Sequence, residues 1–450
     1  MLKIFKGILS KLGVDWAIFY TSLSRIIQAI GGLVTMFLIV AFMSKEEQGF
    51  YYTFSSVLAI QIFFELGLGG IITQFVAHEM AHLSFKSSLK IEGNSANLSR
   101  LTSLMHFCFK WYGLFTIMLF ITLVLVGYTF FTKYGSSNPI VNWQIPWFII
   151  SLGGSLNLLI SPWMAVLQGM NKVKEMARIS LVQQLIVISL TWLGLILGAK
   201  LYVAAINSIA GFAVLMILYS RTPYPRLLLN IFKQNIIERV SYRKEIFPYQ
   251  WRLAISWISG YFIFQMFNPV IFAFNGAVAA GQMGMTLAVL NSILALSLSW
   301  TSTKIPMWST LIATKNYLNL NRSFNKVLRD STIVSISCII IFIIFITGLW
   351  KLQIPLADRF LPVWLCIVLS LTIPLNNIIN SWATYLRCHK KEPFILQASI
   401  IGVLCAISTI LNGKSFGAAG VVVGYTTIII FFSVPLSYFI FRNKMKLYHA

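Results

Sequence analysis

The sequence predicts an all-α integral membrane protein with twelve transmembrane helices in two parallel six-helix halves around a central cleft. Three observations carry this. First, 58% of the 450 residues are apolar and only 10% are charged, with a mean hydropathy of +0.79, outside the range of soluble globular domains. Second, a bilayer-crossing helix needs roughly 20 mostly apolar residues. Such runs start near Asp15, Phe50, His106, Pro146, Ile179, Tyr202, Tyr249, Gly281, Val327, Phe360, Phe394 and Gly417. Third, the basic residues alternate between sides. With the N-terminus inside, 28 fall on cytoplasmic segments and six (Lys45, Lys133, Lys200, Lys351, Arg359 and Lys414) on the other side, as the positive-inside rule requires. Membrane topology therefore accounts for the net charge of +23 without nucleic acid. Both termini are expected in the cytoplasm.

The N-terminal MLKIFKGILSKLG alternates lysines with apolar residues and reads as a retained interfacial helix, because the apolar run after it is too long for a signal-peptide core. Outer loops are short. The longest polar segment begins at Arg221 and is basic, with Leu228, Leu229, Phe232, Ile236 and Val240 at helical spacing; it is expected to lie on the anionic inner leaflet. It divides the chain into a six-helix half (1–220), an amphipathic linker (221–248) and a second six-helix half (249–450). The halves resemble each other. GFYYTFSSVLAIQIFF at Gly49 corresponds to GQMGMTLAVLNSILAL at Gly281, and Trp163 and Leu167 correspond to Trp382 and Leu386. An even number of spans per half makes the repeats parallel, the plan of transporters whose site lies at the repeat interface.

Arg25 is the one basic residue left inside the membrane by the charge count. Steps of three and four place it with Ser22, Ala29 and Gly32 on a small, polar stripe of helix 1. A charge at the centre of a spanning helix costs about 2.5 to 3.5 kcal/mol on insertion scales, so it faces a cavity or a partner. Glu65, on a face with Gln61, Gly69 and Thr73, lies about one helical turn from it in depth and is the alternative, purely structural, partner. Similar stripes contain Asn291, Ser299 and Ser302 on helix 8, Asn377, Asn380 and Thr384 after Pro374, and Asn157 and Ser161 before Pro162. Each alone suits close helix packing; together they suggest a polar cleft. Arg252 and Lys304 would add charge at its inward mouth, or snorkel to headgroups. The expected substrate-lining set is Arg25, Gln28, Gln61, Glu65, Asn157, Arg252, Asn291, Lys304, Asn377 and Asn380.

Five cysteines lack CxxC spacing, so no metal site or disulfide framework is signalled. HEMAH at 78–82 matches the H-E-x-x-H zinc motif. However, the metzincin continuation would need glycine at 85 and histidine at 88, where Phe85 and Ser88 stand. It reads as a polar helix end. With no nucleophile motif or phosphate loop, no enzyme and no cofactor are expected.

MSKEEQGFYYTFSSVLAIQIFFELGLGGIITQF, through Glu47, Gly49, Tyr51, Glu65 and Gly67, resembles the start of Wzx-type bacterial polysaccharide (O-antigen) flippases of the multidrug/oligosaccharidyl-lipid/polysaccharide, MATE-like superfamily. The resemblance implies a transporter in the bacterial inner membrane that moves an undecaprenyl-diphosphate-linked oligosaccharide between leaflets by alternating access, for O-antigen, capsule or a related polymer. Polysaccharide polymerase machinery is an implied partner. A guanidinium suits the diphosphate. A MATE-type small-molecule exporter is the alternative, although it would be expected to carry several acids in the cleft; an H-E-x-x-H metalloprotease is the third reading.

Overall fold

The computed structural model describes residues 16–449 except 88, 136–140 and 390. The predicted interfacial helix at the N-terminus lies outside the described residues.

The chain is helical almost throughout: α1 (Trp16–Phe42), α2 (Lys45–Leu58), a 3-10 turn (Ala59–Gln61), α3 (Ile62–Glu65), α4 (Leu68–Met80), α5 (Ser95–Gly135), α6 (Gln144–Gly169), α7 (Val173–Ile196) and α8 (Tyr202–Ser220). The linker contributes α9 (Tyr224–Phe232) and a π turn (Tyr242–Ile246). Then follow α10 (Phe247–Phe264), α11 (Phe267–Ala313), α12 (Tyr317–Lys351), a 3-10 turn (Pro355–Arg359), α13 (Val363–Ser370), α14 (Thr372–Arg387), α15 (Ile395–Ile428) and α16 (Val434–His449). Among the described residues nine helices are long and apolar enough to cross a membrane, or ten if the bent pair Lys45–Glu65 and Leu68–Met80 forms one span. Two of these runs, of 71 and 54 residues, exceed the roughly 20 residues of one crossing; they are interrupted at Gly276 and Gly417. The chain is a multi-pass membrane protein.

One departure from an all-α chain is a small hairpin, β1 (Leu83–Ser87) and β2 (Lys90–Gly93), antiparallel with Leu83 opposite Gly93 and Phe85 opposite Ile91. Glu92 ties it through Lys86 (2.7 Å) and Lys90 (3.3 Å). The linker departs from a continuous helix as well. α9 covers nine residues and buries Tyr224, Leu227, Leu228 and Ile231, while Leu229 and Ile237 are exposed.

Two compact units result. One holds the described residues of Met1–Ile27, with Leu58–Phe130 and Asn142–Trp257; the other holds Gln28–Val57, Phe131–Val141 and Ile258–Ala450. In the first, the α5 N-terminus receives the linker. The Ser99 hydroxyl accepts from the amides of Ile237 (2.7 Å) and Glu238 (2.8 Å), that of Ser103 accepts from Val240 N–H (3.2 Å), and Thr102 Oγ1 donates to the Ile231 carbonyl (3.1 Å). At 41 residues α5 is about 60 Å long, about twice the hydrocarbon thickness, so it extends well past the lipid core. In the second unit, the segment 28–57 from the first sequence half packs onto α11. A Cβ on Gly49 would lie 1.9 Å from the Ala277 carbonyl oxygen, and one on Gly284 would lie 2.3 Å from the Tyr52 Cβ. Phe50, Phe54, Phe131 and Phe272 complete this core with edge-on ring contacts of 4.9 to 6.1 Å.

Candidate functional site

The site is built on helices that change character along their length. On α1, Arg25, Gln28 and Gly32 are exposed, and 3.6 residues per turn brings them within about 60° of arc. Ile30, Leu33 and Phe37 are exposed on a different face. One exposed face is thus apolar and suited to lipid, and the other is polar with a charge, which hydrocarbon does not tolerate. Continuing the polar face by helical steps leads to Met36, Ile39 and Met43, all buried. The face that is open at Arg25 is sealed one turn beyond Gly32.

The next helices repeat the pattern. α2 buries Glu47, Gln48, Gly49, Phe50, Thr53, Phe54, Ser56 and Val57, whereas none of the residues from Ala59 to Glu65 is buried. α11 buries Ala277, Ala280, Met283, Met285 and Leu290, then exposes Asn291, Ala295 and Leu296. The buried stretches cluster at the α1–α2 turn. There the Gln48 amide donates to the carbonyls of Gly281 (2.8 Å) and Arg359 (3.1 Å). Arg359 Nη2 donates to the carbonyls of Met43 (2.7 Å) and Val40 (3.2 Å), the unsatisfied C-terminus of α1. Burial pulls the guanidinium pKa down, against the opposing charges of Glu46 and Glu47. Lys45 pairs with Asp358 at 2.9 Å.

Glu65 stands at the break in the second span. Leu66 (φ +48°) and Gly67 (φ +71°) are both left-handed, and the helix axis bends by 43°. A non-glycine residue in this region costs roughly 1 to 2 kcal/mol, so Leu66 is strained. A Cβ at Gly67 would meet Trp257 Nε1 at 3.1 Å, so both its φ and the close approach of α10 select glycine. The Glu65 carboxylate accepts from Ser161 Oγ at 3.3 Å; among the described residues no ion pair joins it to Arg25. Gln61, one turn away, is half-buried. Next to Arg25, Ser24 donates a hydrogen bond to Gln184 and ties α1 to α7.

The other expected residues divide. Arg252 and Lys304 are exposed, with Arg252 5.5 Å from the Trp251 ring. Asn157 is committed to packing: its amide donates to the Gly153 (2.8 Å) and Ser208 (3.2 Å) carbonyls. Asn377 is buried against α12, donating to Ser331 (3.1 Å) and Thr332 (3.4 Å), and Asn380 donates to the Asn376 carbonyl (2.8 Å). Asn376, which the sequence reading passed over, instead donates to the Tyr425 hydroxyl (3.0 Å). With Asn291 these two line a cavity of about 20 Å³, the size of one water. The adjacent Asn-Asn pair made the phase ambiguous, because either residue continues a polar stripe.

The structure gives HEMAH a role without metal. α4 ends at Met80, so His82 lies in the following turn and the two histidine rings are 6.3 Å apart. Glu79 is 2% exposed and accepts from Arg100 Nε (3.0 Å) and Asn97 Nδ2 (2.6 Å), while Arg100 Nη2 reaches Glu245 at 2.6 Å. Among the described residues no group of three metal-ligating side chains occurs. Arg100 is the residue the motif search missed; its signal was an arginine in the first turns of a polar helix start.

The model of the family described as "Polysaccharide biosynthesis protein" matches residues 17–312, from α1 to the end of α11. The chain belongs to this family. No curated protein matches its sequence significantly. Among solved structures it is similar to the lipid II flippase MurJ in an inward closed conformation (TM-score 0.64, 14% identity, covering 95% of this chain and 87% of that one). It is also similar to the MATE multidrug transporter DinF-BH (0.64, 13%, 96% and 95%), and to an outward-facing MATE family transporter of the MOP superfamily (0.57, 13%, 96% and 96%). At these identities the likeness establishes the fold, that of all-helical membrane transporters.

Proposed function

We propose that the protein is a flippase that carries a polyprenyl-diphosphate-linked oligosaccharide across the bacterial cytoplasmic membrane during polysaccharide synthesis. Family membership supports the polysaccharide, and the lipid II flippase among its structural neighbours handles a lipid-linked substrate. The observation that carries the mechanism is the face of α1 that is open from Arg25 to Gly32 and sealed from Met36 to Met43. A path closed at one end and open at the other is what alternating access requires of a single conformation.

The charge asymmetry supports an orientation with the sealed end, Lys45 and Arg359, outside, and the basic linker and both termini in the cytoplasm. The open end then faces the leaflet where such a substrate is made. Arg25 receives the diphosphate through a planar fork of donors. Gln28, exposed on the same face of α1, supplies an amide for sugar hydroxyls, and the polyprenyl tail stays in lipid. Glu65, held by Ser161 at the helix break, sits where the path must change shape.

Depletion of the protein tests the reading. The lipid-linked glycan should accumulate on the inner leaflet, and re-expression should clear it. Unchanged glycan distribution, with export of a small cation lost instead, would assign the chain to the exporter reading.

A further inference from the structure

The first unit contains an apolar cavity of about 470 Å³ that none of the path residues touches. It lies where α5, α6 and α8 meet the linker helix α9, and its walls include Trp163, Phe212, Met216, Tyr219, Leu228 and Phe232. Phe232 closes one side by stacking on His106 at 3.8 Å. Four exposed cations lie next to or near lining residues in sequence: Lys110 next to Phe109, Arg226 next to Pro225, Lys233 next to Phe232, and Arg221 two residues after Tyr219. Among the described residues none of the four is held in an ion pair.

We propose that this cavity binds one anionic phospholipid of the bilayer, with an acyl chain between α5, α6 and α8 and its phosphate on the cations flanking α9. Two independent properties select this occupant. The lining is hydrocarbon and aromatic and the volume is that of a small-molecule site, so it accepts one chain and no headgroup. Cations adjoin the lining residues in sequence, on the amphipathic linker helix and at the spanning helices it meets, the arrangement that attracts anionic lipid at about 1 kcal/mol per charge. A zwitterionic lipid fits the first property and fails the second. The bound lipid would brace α9, whose helix is only nine residues long and too short to be stable by itself.

The test uses the full chain, purified in mild detergent, stripped of lipid and titrated with phosphatidylglycerol or phosphatidylcholine carrying brominated acyl chains, which quench nearby tryptophan. The difference between the parent and Trp163→Phe isolates the Trp163 signal among 13 tryptophans. Phosphatidylglycerol is expected to quench it at least about fivefold more tightly than phosphatidylcholine, from one to two cation contacts. Arg226→Gln with Lys233→Gln should erase that preference, and Met216→Phe, which adds bulk inside the cavity, should weaken quenching by both lipids while Tm stays at the parent value. Equal affinity for both lipids in the parent would overturn the proposal as non-specific lipid contact. Displacement of brominated phosphatidylglycerol by equimolar decaprenyl phosphate would overturn it in favour of the substrate's own tail. Full quenching in a stably folded Met216→Phe protein would place the lipid elsewhere.

Discussion

At the α1–α2 turn, hydrogen bonds join the two sequence halves: Gln48 reaches Gly281, and Arg359 reaches Val40 and Met43. At the linker, the bonds described for Arg100 stay within the first half and its linker, reaching Glu79 and Glu245. Each region is organised by one arginine, yet one arginine grips neutral carbonyls and the other grips two acids. Neutral carbonyls at a helix end can be returned to water at modest cost, so that seal is suited to opening. A carboxylate 2% exposed cannot lose its guanidinium cheaply, so that cluster is suited to staying intact while the path works.

The largest effect should follow Arg100→Ala. It strands Glu79 as a buried charge, for which about 3 to 5 kcal/mol is typical, read as a lowered Tm and poor recovery of folded protein. Glu79→Gln added to it should restore much of the loss; a fully stable single variant would contradict the buried-pair reading.

Gly49→Leu should come next. No rotamer of leucine avoids the Ala277 carbonyl 1.9 Å from its Cβ, so the seal must part. Overpacking of this kind costs about 1 to 3 kcal/mol, enough to shift a two-state equilibrium by roughly tenfold or more. A cysteine at Ile39 should then label with an impermeant reagent from outside, where the parent resists it. Labelling unchanged by the leucine would mean the packed region is no gate.

Arg359→Ala should act in the same direction and less strongly. It removes charge-assisted hydrogen bonds to the carbonyls of Val40 and Met43 and to Gln48 Oε1, of which about 1.5 to 3 kcal/mol is the usual worth of one, reduced here because water can reach the freed carbonyls. The smallest effect is expected from His78→Ala with His82→Ala. His78 is exposed and Glu79 keeps Arg100, so stability should change by less than about 0.5 kcal/mol, and transport should not respond to a zinc chelator.

The fold was legible because a bilayer imposes one rule on every spanning segment, and composition, run length and the placement of lysines all report on it. The candidate site was legible only in part. Arg25 and Glu65 declared themselves as charges where charge is costly. Asn157 and Asn377 did not, because an amide serves helix packing as readily as a path, and only the carbonyl of Ser208 or the hydroxyl of Ser331 tells which. The consecutive left-handed residues Leu66 and Gly67 were hidden because leucine gives no warning of positive φ. HEMAH matches the zinc motif through spacing alone, and its reading as a polar helix end fits the structure, where the second histidine falls beyond the helix that would align it. The hairpin at 83–93 escaped notice beside the apolar runs that dominate the chain.

The central claim is that Arg25 grips the diphosphate rather than serving the fold. It is tested most directly by glycan export from cells expressing Arg25→Ala together with Glu65→Gln, at matched protein level. Arg25→Ala alone should abolish export in protein that still inserts, and Arg25→Lys should keep a part of it, since lysine retains the charge without the bidentate fork. The double variant carries neither charge, so a cost that comes from pairing between these two is gone. The account predicts that its export stays as low as in Arg25→Ala; export near the parent level would leave Arg25 as a structural charge and contradict the claim.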